Sequence, residues 1–167
     1  LRVQTLAIDV HQAGMTPDQV AAEYDVPEAR IVEALAFYAA HQAEIDAHIA
    51  AETFEKNQYF IAERDLTQMI EKFIEHLPGV REEEVEPDSI AILKGIEAQH
   101  GIFVERAKGV YSFAHLTFQE YFTAKYIAEN AAQRTLEGLL THWEDYRWRE
   151  VFLLTASLLD NADDFFS

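Results

Sequence analysis

The sequence contains no cysteine, which excludes a disulfide framework, a thiolate nucleophile and a cysteine zinc site. Basic residues are scarce: 13 Lys and Arg stand against 30 Asp and Glu, a net charge of −17. Nucleic-acid affinity comes mostly from basic groups that displace counterions from phosphates, so nucleic acid is disfavoured as a partner. No apolar run approaches the ~20 residues that cross a bilayer, and no charged-then-apolar leader opens the chain. The expected setting is therefore cytoplasmic, with no membrane association. Missing catalytic words narrow the field further. There is no G-x-x-x-x-G-K-[ST] loop to cradle phosphates and place magnesium, and no G-x-S-x-G or H-E-x-x-H. The acidic runs lack the Asp-x-Asp-x-Asp-Gly spacing of a calcium loop. The chain is expected not to be an enzyme and to hold no metal.

What is present is globular. A hydrophobic share of 49% with 12% aromatic supports a packed core over disorder. The chain opens on Leu1 and stops at Ser167 directly after "DDFF", so both ends read as cut and a fragment is expected.

The first organised stretch runs from Gly14 to Glu52. Gly14 is suited to ending an earlier helix, and Thr16, Pro17 and Gln19 supply an N-cap, a first-turn proline and the reach-back residue of a capping box. A helix carrying Val20, Ala21 and Tyr24 follows, turns at Asp25, and leads into a longer helix with Ile31, Leu35, Tyr38, Ile45 and Ile49 on its inward stripe. Ala21, Val26 and Ile31 occupy the contact positions of a helix-turn-helix, with Asp25 where glycine is usual. The outer side of the second helix carries Glu28, Arg30 and Glu33, a poor set for reading bases. His41 and His48 lie two turns apart, too far to share a metal. The words "GMTPDQVAAEY" and "ALAFYAAHQAEID" resemble a small bacterial helix-turn-helix family of uncharacterised function found among antitoxin-type proteins.

Beyond residue 52 the texture changes with no Gly- or Pro-rich linker. Phe54, Tyr59, Phe60 and Ile61 precede a helix bearing Leu66, Met69, Ile70, Phe73, Ile74 and Leu77, ended by Pro78 and Gly79. A charged loop follows, then a helix capped by Asp88 or Ser89 and carrying Ile92, Leu93 and Ile96. Ile102 to Glu105 and Val110 to Phe113 have strand composition, with Ala107-Lys108-Gly109 as the turn of a hairpin. The next helix has Thr117 and Glu120 spaced for a capping box, and Phe118, Tyr121, Phe122 and Tyr126 on a broad apolar face as core or partner-contact residues. His115 lies at its entrance, where backbone N–H groups and the positive end of the helix dipole suit an anion. A histidine there serves equally well as a simple cap. His100 reads as a helix-end residue, and His142, among Trp143, Tyr146 and Trp148, as a packing or partner residue.

Three words, "FEKNQYFIAERDL", "SIAILKGIEAQHGIFVERAKGVYSFAHLTFQEYFTAKYIAE" and "WREVFLLTASLL", resemble the region after the nucleotide-binding core of bacterial NACHT-family (STAND) signal-transduction NTPases. The resemblance implies a winged-helix lid over ADP, with His115 as the phosphate contact of the closed state. It also implies ADP or ATP as ligand only together with an NTPase core, in cis or in trans, and a role in signalling such as bacterial antiphage defence.

The expected fold is mainly α: a trihelical helix-turn-helix unit (1–52), a winged-helix module of helices plus one β-hairpin (53–130), and trailing helices (131–167). Protein partners and homo-oligomerisation are expected. The alternative function is an acidic helix-turn-helix antitoxin-like or DNA-binding regulator.

Overall fold

The computed structural model describes residues 16–25, 27–77 and 89–159. Gly14, Val26, Pro78, Gly79, the acidic run and Asp88 lie outside them. The chain forms two compact units, Leu1–Ile45 with Phe60–Ala114, and Asp46–Tyr59 with His115–Ser167.

In the first unit, α1 (Pro17–Tyr24) begins as expected: the Thr16 backbone N–H donates to Gln19 Oε1 at 2.9 Å, and proline fills the first helical turn. Asp25 ends it in the left-handed region, at φ 55°, which a short polar side chain tolerates. The long helix α2 (Glu28–Glu55) follows, and Ile31, Ala34, Tyr38 and Ile45 are buried along it. Leu66, Met69, Ile70 and Ile74 are the buried stripe of α3 (Glu63–Glu75). Ala91, Ile92, Leu93 and Ile96 are buried on α4 (Ser89–His100), whose Ser89 hydroxyl donates to Glu71 at 2.9 Å. Gly95 is the close-approach point of this unit. A Cβ there would stand 2.6 Å from Leu35 Cδ2, so contact between α4 and α2 offsets the roughly 1 kcal/mol that a mid-helix glycine costs.

The hairpin is β2 (Phe103–Ala107) and β3 (Val110–Phe113); its first strand starts one residue later and ends two residues later than expected, which takes Ala107 out of the turn. Gly109 closes the turn at φ 70°, and its N–H donates to Glu105 at 2.6 Å. A further strand, β1 (Ile61–Ala62), pairs antiparallel with β3, Ile61 opposite Tyr111, which gives the sheet order β1-β3-β2. Its two residues carry no strand signal of their own.

The second unit contains the end of α2, α5 (Leu116–Glu129), α6 (Thr135–Leu140) and α7 (Arg149–Leu158), with 3-10 turns at Ala131–Gln133 and Tyr146–Trp148. Phe54, Ala124, Ile127, Leu139, Trp148 and Val151 form its core. Phe54 meets Trp148 edge-on, ring centroids 4.9 Å apart.

The described residues thus form seven α-helices and one small three-stranded antiparallel sheet, a mainly α winged-helix architecture. The boundary expected at residue 52 falls inside the unbroken α2, and the two units interleave along the chain.

Candidate functional site

β3 ends at Phe113, and the Ala114 N–H still donates to the Ile102 carbonyl at 2.8 Å. His115 follows in extended conformation (φ −135°, ψ 144°) as the N-cap of α5, and its carbonyl accepts the Phe118 N–H at 3.1 Å. This corrects the expected Thr117 and Glu120 capping box. The short link from β3 starts the helix at Leu116, so Thr117 is already its second residue and caps nothing. The His115 imidazole is exposed, makes no capping hydrogen bond, and rests edge-on against Phe118 with centroids 5.6 Å apart. An exposed imidazole thus stands at the amide end of a 14-residue helix, where backbone N–H groups and the helix dipole favour negative charge.

The four aromatics of α5 do not form its buried stripe. The buried residues are Gln119, Thr123, Ala124 and Ile127, while Phe118 and Tyr121 are exposed and Phe122 and Tyr126 half-buried. Gln119 sets the seating of the helix. Its amide donates to Thr53 Oγ1 at 2.9 Å and to the Gln58 carbonyl at 3.2 Å, so a polar side chain is buried with its hydrogen bonds made. The four aromatics therefore divide: Phe118 and Tyr121 remain accessible to a partner, and Tyr126 meets His48 edge-on at 6.2 Å.

Glu120 on α5 has its carboxyl pKa raised, first by burial and then by the nearby Glu150 carboxylate. A raised carboxyl pKa favours the folded state while the group is protonated, and that advantage is lost as pH rises from the unfolded value through the folded one. Glu120→Gln is accordingly expected to raise the thermal midpoint at pH 7 and to leave it unchanged at pH 4. Melting curves at the two values check this.

The other histidines have local duties. His41 Nδ1 lies 3.0 Å from Glu44, and His142 stacks on Trp148 at 4.1 Å with Nε2 3.1 Å from Glu55. Among the described residues no group of three His, Asp or Glu side chains is arranged to hold a metal ion.

A polar cluster in the first unit was not anticipated. Lys94 Nζ donates to Glu63 Oε2 at 2.9 Å and to the Tyr111 hydroxyl, and Glu97 Oε2 lies 3.3 Å from that hydroxyl and 4.0 Å from Nζ. Lys94 and Glu97 are 7% and 2% exposed, so the group ties α3 and α4 to the central strand of the sheet from inside the unit. The available signal was a Lys and a Glu three apart in the apolar run "IAILKGIEA".

The fold and this site define a winged-helix domain. The chain belongs to the family described as the winged helix-turn-helix domain C-terminal to NACHT, which matches residues 18–127. The matched segment takes in nearly all of α1, then α2 to α4, the sheet and most of α5. A domain of this family is a regulatory, non-catalytic part of NACHT proteins. No curated protein and no solved structure matches the chain. None of the described helices is long and apolar enough to cross a membrane.

Proposed function

We propose that this domain is the lid of a nucleotide switch in a cytoplasmic NACHT-type STAND NTPase, with His115 as the contact to the ADP phosphate in the closed, inactive state. The observation that supports it is the exposed imidazole, without a capping bond, at the amide end of α5. Histidine and helix dipole both favour an anion, and the NTPase core supplies the remaining phosphate ligands. Exchange of ADP for ATP removes the contact and frees the lid, so nucleotide binding energy that differs between two states drives the switch. Phe118 and Tyr121, exposed on the first turns of the same helix, provide the apolar contact to the core or to protein partners once the lid moves. The signalling output proposed is bacterial defence, and homotypic assembly through the same aromatic surface fits such a pathway.

The alternative, DNA reading by α1 and the start of α2, is opposed by the exposed Glu28 and Glu33 beside a lone Arg30 on that surface.

The test is the association of this chain with a NACHT NTPase core, titrated with and without ADP. His115→Ala is expected to remove about 10-fold to 100-fold of ADP-dependent affinity, the worth of a hydrogen bond to a charged group. It should shift folding stability by less than about 0.5 kcal/mol, as an exposed substitution does. ADP-dependent association that survives the substitution unchanged contradicts the assignment.

A further inference from the structure

Arg106 is the extra residue of a β-bulge. Glu105 stands opposite Tyr111 and Ala107 opposite Val110, so Arg106 has no counterpart on β3. A bulge bends its strand and re-aims the side chain it carries. Here the exposed side chain reaches along the hairpin to the far end of β3, where Nε donates to Ser112 Oγ at 2.8 Å and Nη2 to the Ala114 carbonyl at 3.3 Å. Ser112, 8% exposed, donates in turn to the Phe113 carbonyl at 3.0 Å. A guanidinium suits this task because its planar fork meets two acceptors at once in a fixed geometry.

Those bonds hold the residue before His115. The Ala114 N–H is held by the Ile102 carbonyl at 2.8 Å, and the Ala114 carbonyl by Arg106. That carbonyl shares one planar peptide with the His115 N–H, so the plane cannot turn without breaking the arginine bond. On the other side the His115 carbonyl accepts the Phe118 N–H at 3.1 Å. The arginine bonds lie wholly within the first unit and reach His115 only through the peptide that joins it to Ala114. A group that must meet a phosphate gains from a backbone held in place beforehand, because misplacement by about 1 Å forfeits much of the contact. We propose that Arg106 is a positioning residue for the His115 contact: it does not touch the nucleotide, and it holds the peptide from which His115 projects. The proposal rests on the reading of His115 as the ADP phosphate contact.

The test compares Arg106→Ala, Arg106→Lys and His115→Ala in association with a NACHT NTPase core, each with and without ADP. Arg106→Ala is expected to lose about threefold to tenfold of the ADP-dependent gain in affinity, while the affinity without ADP changes by less than about twofold. Arg106→Lys keeps the charge without the fork and should lose as much. Melting curves check that each variant folds, as substitution of an exposed side chain allows. Should the alanine variant not fold, the lysine variant carries the comparison alone. Full retention of the gain by Arg106→Ala, where His115→Ala loses it, overturns the positioning role and leaves the latch intact. Recovery of the gain by Arg106→Lys overturns it too, since charge alone would then be what counts. Equal losses with and without ADP would reduce Arg106 to a support of the hairpin. A His115→Ala variant with an unchanged gain removes the latch and this proposal with it.

Discussion

Lys94→Ala is expected to destabilise the domain by about 3–5 kcal/mol, read as a lowered urea midpoint with unchanged slope. The cost arises less from the lost attraction than from what is left behind. Glu97, 2% exposed and 3.3 Å from the Tyr111 hydroxyl, would lose the ammonium group 4.0 Å away, and Glu63 would lose its 2.9 Å partner. The double substitution Lys94→Met with Glu97→Leu serves as control. It removes both buried charges together and should recover most of the loss, because well-packed apolar residues replace a buried pair at little cost. The same cluster shapes the response to acid. Glu63 has its carboxyl pKa lowered, chiefly by the hydrogen bond from Lys94, with the lysine charge and the Tyr111 hydroxyl adding to it against a burial effect of opposite sign. A lowered carboxyl pKa contributes stability that is present above the unfolded value, about 4.3, and is lost as pH falls through the lower folded value. Lys94→Ala should flatten that acid limb. Equal acid sensitivity in wild type and variant would show that Glu63 is not held by Lys94.

Phe54→Ala should cost a similar amount, about 3–5 kcal/mol, through a different mechanism. Phe54 is 1% exposed in the core of the second unit, its ring edge-on to Trp148 and 4.9 Å from the Arg147 guanidinium. Arg147 also donates to the Phe54 carbonyl, so the truncation leaves a cavity beneath an ordered arginine. Phe54→Leu keeps most of the volume and is expected to cost less than about half as much. Equilibrium unfolding followed by tryptophan emission separates the two. A loss below about 1 kcal/mol for the alanine variant would mean that this aromatic cluster does not carry the second unit.

What the sequence made legible was local. The start of α1 was readable because Thr16, Pro17 and Gln19 make their contacts within one turn, and the β2–β3 hairpin because its turn and both strands lie within eleven residues. The end of α1 at Asp25 was readable for the same reason. Strand β1 was not, since Ile61 and Ala62 become a strand only by pairing with Tyr111 and Val110 far along the chain. The Lys94 cluster draws on Glu63, Glu97 and Tyr111 from three elements, so no window of sequence contains it. On α5 the aromatic spacing concealed the true inward stripe. Gln119 and Thr123 are polar, and burying them is favourable only because Thr53, the Gln58 carbonyl and the Gln119 carbonyl meet their polar atoms. His115 itself was legible as a helix entrance.

The measurement that tests the nucleotide switch most directly is the NMR signal of the His115 ring nitrogens in the complex of this chain with a NACHT NTPase core, before and after ADP. The account predicts that ADP shifts the His115 ring signals alone among the described histidines, and that ATP in place of ADP returns them to their starting positions. Ring signals that ignore ADP in a complex that does bind it would contradict the latch and leave His115 as a helix-entrance residue alone.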